Sequence, residues 1–162
     1  MDIAKADAAG IVIRQARRED VVRIATLIML GAPQQRTLPA DIATEAGDPA
    51  YLAAFAEVDA SPYNTLFVAE EAGEVIGTFQ VTLIPGLAAR GRKRAKFESV
   101  HVAPECRGRG IGAVMIRHAL AFAKANGAGL AELTSDKARE DAHRFYLRLG
   151  FAQSHEGFKM AL

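Results

Sequence analysis

The chain has 162 residues, 50% of them apolar and 24% charged, and a formal net charge of +1. That length suits one domain with its own core, the composition excludes intrinsic disorder, and the near-neutral balance excludes a global field that would draw nucleic acid or an anionic membrane. The single cysteine, Cys106, excludes an intrachain disulfide framework and a multi-cysteine zinc site, and it suits a reducing compartment, with the cytoplasm as the expected location.

The opening "MDIAKADAAG" lacks the apolar stretch of a secretory signal, and no apolar run is long enough to span a membrane, so residues 1–10 are expected as a flexible arm and 11–162 as one domain. Ile11 to Ala16 reads as a strand and "REDVVRIATLIML" as a helix with Asp20 near its start. After the break "APQQRTLP", Asp48 and Pro49 open a second helix through "DPAYLAAFAEVDAS". The period then falls to two: Thr65 to Glu70 and Val75 to Ile84 form an antiparallel hairpin around "EAGE". "KFESVHVA" is the next strand, and its alternation places Phe97, Ser99 and His101 on one face and Glu98, Val100 and Val102 on the other.

A helix over Gly110 to Asn126 follows and stops at Gly127. "LAELT" is a strand, "REDAHRFYLRLG" an amphipathic helix closed by Gly150, and "FAQSH" with "FKMAL" a final hairpin. The order is β-α-α-β-β-β-α-β-α-β-β, which predicts an α/β class: a single domain with a mixed, mostly antiparallel sheet and flanking helices.

Between the strand and the helix stands "VHVAPECRGRGIG", with Gly108, Gly110 and Gly112 at alternate positions and Arg107 and Arg109 interleaved. A helix start exposes unpaired N–H groups and the positive end of the helix dipole; glycines let an anion approach that backbone, and arginines add donors. The pattern predicts an anion site suited to a diphosphate, against the plainer reading of a tight turn with solvated arginines. "GRGIG" is not the dinucleotide fingerprint, because five residues separate Val102 from Gly108, although Glu132 lies where a ribose-binding acid would stand. No Gly-Lys-Ser/Thr follows, so the P-loop pattern fails too.

Arg107, Gly110 and Gly112, set after a strand and before a helix, resemble the R/Q-x-x-G-x-G/A acetyl-CoA signature of the GCN5-related N-acetyltransferases (GNAT). Downstream, Ala142, Phe145, Tyr146, Gly150 and Phe151 resemble that family's A-x-x-F-Y-x-x-x-G-F element. The resemblance covers nearly the whole chain and implies the acyl-CoA N-acyltransferase fold. It implies acetyl-CoA as co-substrate, its pantetheine arm paired with backbone of Val100 and Val102 in a gap beside Leu130 to Thr134. The diphosphate would be held by amides from Arg107 through Gly108, Arg109, Gly110, Ile111 and Gly112 to Ala113. A homodimer is suggested by family habit alone. Where many members carry Asn three residues before Ala142, this chain has Arg139.

Acyl transfer to an alkylamine needs a proton acceptor for the ammonium and a proton donor for the leaving thiolate. Glu98, on the strand beside the thioester, is the candidate base; the alternative is a merely paired strand glutamate. Tyr146 matches the family's general acid, and its helical spacing also fits a core tyrosine. Cys106 adjoins the diphosphate region rather than the thioester and reads as structural, as do His101 and His118, which show no metal-ligand pattern. The stretch from Thr37 to Pro62 carries Asp41, Glu45, Asp48, Glu57 and Asp59 without a cation, and Arg90, Arg92, Lys93, Arg94 and Lys96 stand together without an acid. Both border the acceptor cleft of the implied fold, or are solvated surfaces.

The sequence thus reads as an acetyl-CoA-dependent N-acyltransferase acting directly on a primary amine of a small molecule, peptide or protein, with no metal, nucleic acid or membrane partner. The alternatives are a non-catalytic acyl-CoA-binding module and a nicotinamide-dinucleotide oxidoreductase.

Overall fold

In a computed structural model, which describes residues 10–32 and 40–162, five strands form one sheet in the order β1-β2-β3-β4-β5. β1 (Ile11–Gln15), β2 (Asn64–Glu71), β3 (Glu74–Ile84) and β4 (Arg94–Val102) are antiparallel neighbours in succession, and β5 (Leu130–Leu133) joins β4 in parallel. The parallel step needs a crossover, supplied by α5 (Ile111–Ala125). On the other side of the sheet lie α1 (Val21–Leu30), α2 (Ile42–Ala46) and α3 (Pro49–Ala60); α4 (Ala88–Gly91) is one turn in the β3–β4 loop, and α6 (Glu140–Arg148) follows β5. The arm expected over residues 1–10 lies, except for Gly10, outside the described residues, as do Thr37 to Pro39 of the acidic stretch.

The fold follows local chemistry at each start and stop. Asp48 accepts the Ala50 N–H at 2.8 Å ahead of Pro49, so α3 begins at the anticipated cap and proline pair. Asp41 likewise accepts from Thr44 at the head of α2, a short helix with no periodic signature in the sequence. Asp20, nearly sealed from water, receives two hydrogen bonds from Arg14 at 2.7 and 3.0 Å and one from the Arg17 N–H, which ties the start of α1 to β1. The Arg14 guanidinium holds this carboxyl below the usual carboxylate range.

The main core lies between the sheet and α5, where Phe79, Val81, Ala95, Phe97, Met115, Ile116 and Ala119 are fully buried. The opposite face carries two smaller clusters, around Ile24 and Val68 and around Ala25, Met29 and Ala46.

Two expectations need correction. The final hairpin does not form: residues 151–162 have no regular structure, and Phe158, Met160 and Leu162 are exposed. A lone two-stranded hairpin is marginal in water and needs a sheet to lie on; this segment runs past Thr134, against which Gly157 lies, without pairing with β5. The alternation along β4 is also broken, with consequences for the site.

Candidate functional site

Gln80 of β3 stands opposite Glu98, whereas Thr78 stands opposite His101, so the one residue between them on β3, Phe79, is matched by two of β4, Ser99 and Val100. The extra residue is absorbed at Ser99, whose φ of 51° is left-handed, a β-bulge. Residues directly opposite share a face, so Glu98 and His101 lie on the α1 side, while Phe97, paired with Val81, and Val102, paired with Gly77, lie on the α5 side. Glu98 therefore does not share a face with Val100 and Val102, which pack against the α5 cluster. The strict period of two failed because a bulge changes the phase and Ser99 carries no glycine or asparagine to announce it.

The same place opens a gap. β5 pairs with β4 only from Arg94–Leu130 to Phe97–Leu133, so Glu98 to Val102 have no strand partner on that side. Their outward N–H and C=O groups, apart from the Val102 carbonyl that Arg107 engages, are available to an extended, amide-bearing ligand, as an exposed strand edge is to a peptide.

At the other end of that edge α5 begins. Gly108 and Gly110 have φ of 79° and 80°, the left-handed region that costs an L-residue roughly 1–2 kcal/mol. Gly112 is different: it is helical, and a Cβ there would stand 3.2 Å from Cζ of Phe145, so its smallness lets α6 approach α5. Among the described residues, the amides of Gly108, Arg109, Gly110, Ile111 and Gly112 donate no backbone hydrogen bond; the first helical bonds are Ala113 and Val114 to the Gly110 carbonyl. A run of free N–H groups at the start of a four-turn helix is suited to an anion.

The two arginines do not point their charge there. Arg109 makes two hydrogen bonds to Glu71, at 2.7 and 3.0 Å, which hold the Glu71 carboxyl below its ordinary range. Arg107 turns back, its Nε donating to the Val102 carbonyl at 3.2 Å and Nη2 to that of Leu30 at 3.5 Å. One braces β2 against the loop and the other fastens the end of α1 to the end of β4.

Tyr146 is mostly buried, its ring edge-on to Phe145 at 5.1 Å and Phe151 at 5.8 Å. Its hydroxyl is neither sealed from solvent nor bonded within the described residues. Burial pushes the phenol above its usual range, with Arg139 opposing, so it is a protonated donor at neutral pH. The Arg139 charge also bears on His101, whose ring lies over Gly31 so closely that a methyl group there would fall 1.9 Å from Nδ1. Burial first, then the charges of Arg139 and Arg107, push His101 down to about 4. The Arg139 charge thus bears on both His101 and Tyr146. Sequence reasoning had set His101 aside as structural or surface and left Arg139 without a role; the signal that would have grouped His101 with Glu98 was the unmarked bulge.

Glu98 is half-exposed and pairs with Lys96 at 3.0 Å, on the face below α1. Much of the basic cluster is likewise engaged: Arg94 holds Glu132 through two 2.8 Å bonds, and Lys93 donates to the Asn126 carbonyl. Glu132 is therefore occupied as a partner of Arg94. Cys106 is buried. Among the described residues, no three His, Cys, Asp or Glu side chains are grouped to hold a metal, and no helix is long and apolar enough to cross a membrane.

The model of the acetyltransferase (GNAT) family matches residues 33–151. The chain is 43% identical over 67 residues to an aminoalkylphosphonate N-acetyltransferase of Salmonella typhimurium, which covers 41% of this chain and 44% of that protein. A streptothricin acetyltransferase of Streptomyces lavendulae is 43% identical over 60 residues, 37% of this chain and 32% of that one. The matched stretch spans less than half the length of these curated relatives. Among solved structures, one described as a transcriptional regulator from Bacillus halodurans C-125 is 35% identical with a TM-score of 0.86, covering 94% of this chain and 99% of that one.

Proposed function

The chain belongs to the acetyltransferase (GNAT) family, and on that premise we propose that it is an acetyl-CoA-dependent N-acetyltransferase with a primary amine as acceptor. The observation that carries this reading is the juxtaposition of free amides at Gly108 to Gly112 with the unpaired edge of β4 from Glu98 to Val102. The first suits a diphosphate and the second an arm that contains amides. The backbone of Val100 and Val102, and of Arg107 to Ala113, would hold the co-substrate, whose thioester supplies the activated acyl group.

The remaining chemistry falls to two side chains. Glu98 takes the proton of the acceptor ammonium, directly or through water, and is oriented meanwhile by Lys96. Tyr146 gives its phenolic proton to the departing sulfur; burial keeps the phenol protonated, and so available as the donor, until the thiolate forms. Lys96 and Glu98 present opposite charges side by side, an arrangement complementary to an acceptor that carries an anionic group beside its amine. The name of the Salmonella typhimurium relative, an aminoalkylphosphonate N-acetyltransferase, supports including such amines among the first tested. A single buried cysteine suits a reducing compartment, and we place the protein in the cytoplasm.

Thermal-shift measurements with acetyl-CoA, CoA and NAD, followed by thiol release across a panel of amines, test the reading. Stabilisation by both CoA species but not NAD, with amine-dependent thiol release, is the expected result. Stabilisation by NAD alone would turn the site over to dinucleotide chemistry. CoA binding without thiol release from any amine would leave a non-catalytic acyl-CoA-binding module.

A further inference from the structure

β3 is the middle strand of the sheet, where apolar side chains are expected on both faces. On the α1 side it instead carries Thr78, Gln80 and Thr82. Thr78 is sealed and commits its hydroxyl to the Phe67 carbonyl at 3.1 Å. Gln80 and Thr82 are only half-buried and belong to a different arrangement. The Thr82 hydroxyl donates to Asn64 Oδ1 at 2.7 Å, the Asn64 amide donates to Ser61 Oγ at 2.9 Å, and Gln80 Nε2 approaches Asn64 Oδ1 at 3.3 Å and Thr82 Oγ1 at 3.4 Å. The lengths give this chain its direction, since O–H···O bonds run to about 2.7–2.8 Å and N–H···O bonds to about 2.9–3.0 Å. Asn64 therefore presents its oxygen to Thr82 and Gln80. Facing two oxygens, one of which has already given its single hydrogen to Asn64, Gln80 turns its NH2 group to them and is left with its carbonyl oxygen Oε1 as the open valence. That oxygen is neither sealed from solvent nor bonded within the described residues.

Directly opposite Gln80, on the same face, stands Glu98; side chains so placed have Cβ atoms about 4.5–5.5 Å apart. Lys96 approaches Glu98 at Oε1, and no described side chain bonds Oε2. We propose that Gln80 binds the acceptor, its Oε1 taking one N–H of a primary ammonium while Glu98 takes another. The inference rests on the role given above to Glu98. A primary ammonium has three N–H groups on one nitrogen and satisfies two neighbouring acceptors; a tertiary one has a single N–H and satisfies only one. An amide oxygen also suits the chemistry better than a second carboxylate. Another negative charge would hold the acceptor in its ammonium form, whereas the neutral Gln80 accepts from ammonium and amine alike and does not oppose removal of the proton. Asn64 and Thr82 are then positioning residues: they keep the Gln80 amide from turning over and setting its NH2 group against the N–H groups of the acceptor.

Calorimetry on the CoA-saturated chain and steady-state thiol release from acetyl-CoA test this together, with propylamine and 2-aminoethylphosphonate as primary amines and N,N-dimethylpropylamine as a tertiary probe. The unaltered chain should bind the primary amines about tenfold or more tighter than the tertiary one. Gln80→Met keeps the length of the side chain and removes the amide. It should raise the Kd and KM of the primary amines about 10- to 100-fold, as expected for a lost hydrogen bond to a charged group, with kcat within about threefold and CoA affinity unchanged. The preference for primary over tertiary amine should shrink to about threefold or less, a change that mere packing would not produce. Thr82→Val, which lets the amide turn, should act in the same direction by about 3- to 10-fold, and it carries the test if the Met variant does not fold. Unchanged amine Kd and KM in the variants overturn the proposal, as does an equal loss of CoA and amine affinity with the preference intact. Amine binding that depends on Gln80 without thiol release from any amine would uphold it while ending the acetyltransferase reading. Thiol release with KM indifferent to Gln80 would do the reverse, and amines that neither bind nor react would overturn both.

Discussion

On the α5 side of the sheet, Phe79, Val81, Phe97, Met115 and Ile116 are sealed into one cluster, whereas the α1 side divides its apolar residues between two small clusters and leaves α3 with no buried side chain. The proposed site straddles this division. Val100, Val102 and Tyr146 pack against the sealed cluster, and the free amides open the helix that forms it; Lys96, Glu98 and His101 stand on the other face. The co-substrate half is thus made of backbone held by a stiff core, and the acceptor half of side chains on a more loosely filled surface. An invariant ligand suits the first arrangement, and a face that can change its acceptor without disturbing the core suits the second.

The comparison can be broken most directly by truncating one aromatic on each side. Phe79→Ala, at a fully buried position, should cost about 3–5 kcal/mol, and Phe55→Ala, on α3 and only partly buried, less than half of that. Equal losses in urea denaturation would show that the two faces are equally tight. Next in size is Tyr146→Phe, which should leave CoA affinity unchanged and lower turnover by ~10² to 10⁴, with chemistry shown to be rate-limiting. Full turnover in the folded variant would reduce Tyr146 to packing.

His101 sharpens the contrast through pH. It is held at about 4 against an ordinary 6.5, so the unfolded chain binds more protons between those values. Its contribution to stability is therefore complete above about pH 6.5 and falls as the pH drops towards 4, by about 2–3 kcal/mol. His101→Gln should remove that part of the slope from denaturation curves measured across the window; an unchanged slope would assign it elsewhere. The smallest effect separates backbone from side chain at α5. Gly110→Val should weaken CoA binding by about tenfold or more, from strain at a positive φ and crowding of the amides. Arg109→Gln, already committed to Glu71, should change it less than about threefold in calorimetry. The opposite order would move the anion site from the backbone to the arginines.

Much of this was legible in the sequence where local chemistry is loud. The Asp48–Pro49 start of α3, the hairpin of β2 and β3, and the ends of α5 and α6 followed from caps, turns and periodicity. Gly108 and Gly110 announced the exposed amides. Long-range pairing was silent: Arg109 with Glu71 and Arg94 with Glu132 each span 38 positions, and nothing near either arginine names its partner. Gly112 was grouped with its neighbours by spacing, yet it serves Phe145 from another helix. The final hairpin was read from alternation that is real, but alternation states only that a face wants covering.

Ser99 shows what a surplus of one residue does. β4 is one residue longer than the stretch of β3 it follows, and chain length that cannot be matched across a ladder must be taken up as curvature. The unpaired stretch starts immediately after Phe97, the last residue that keeps hold of β5. Removing Ser99 would leave every neighbouring side chain on its present face, yet would let β4 run straight and close against β5. The cleft would then be lost with all its functional groups still in place, so its width is recorded in a count of residues rather than in the identity of any one of them.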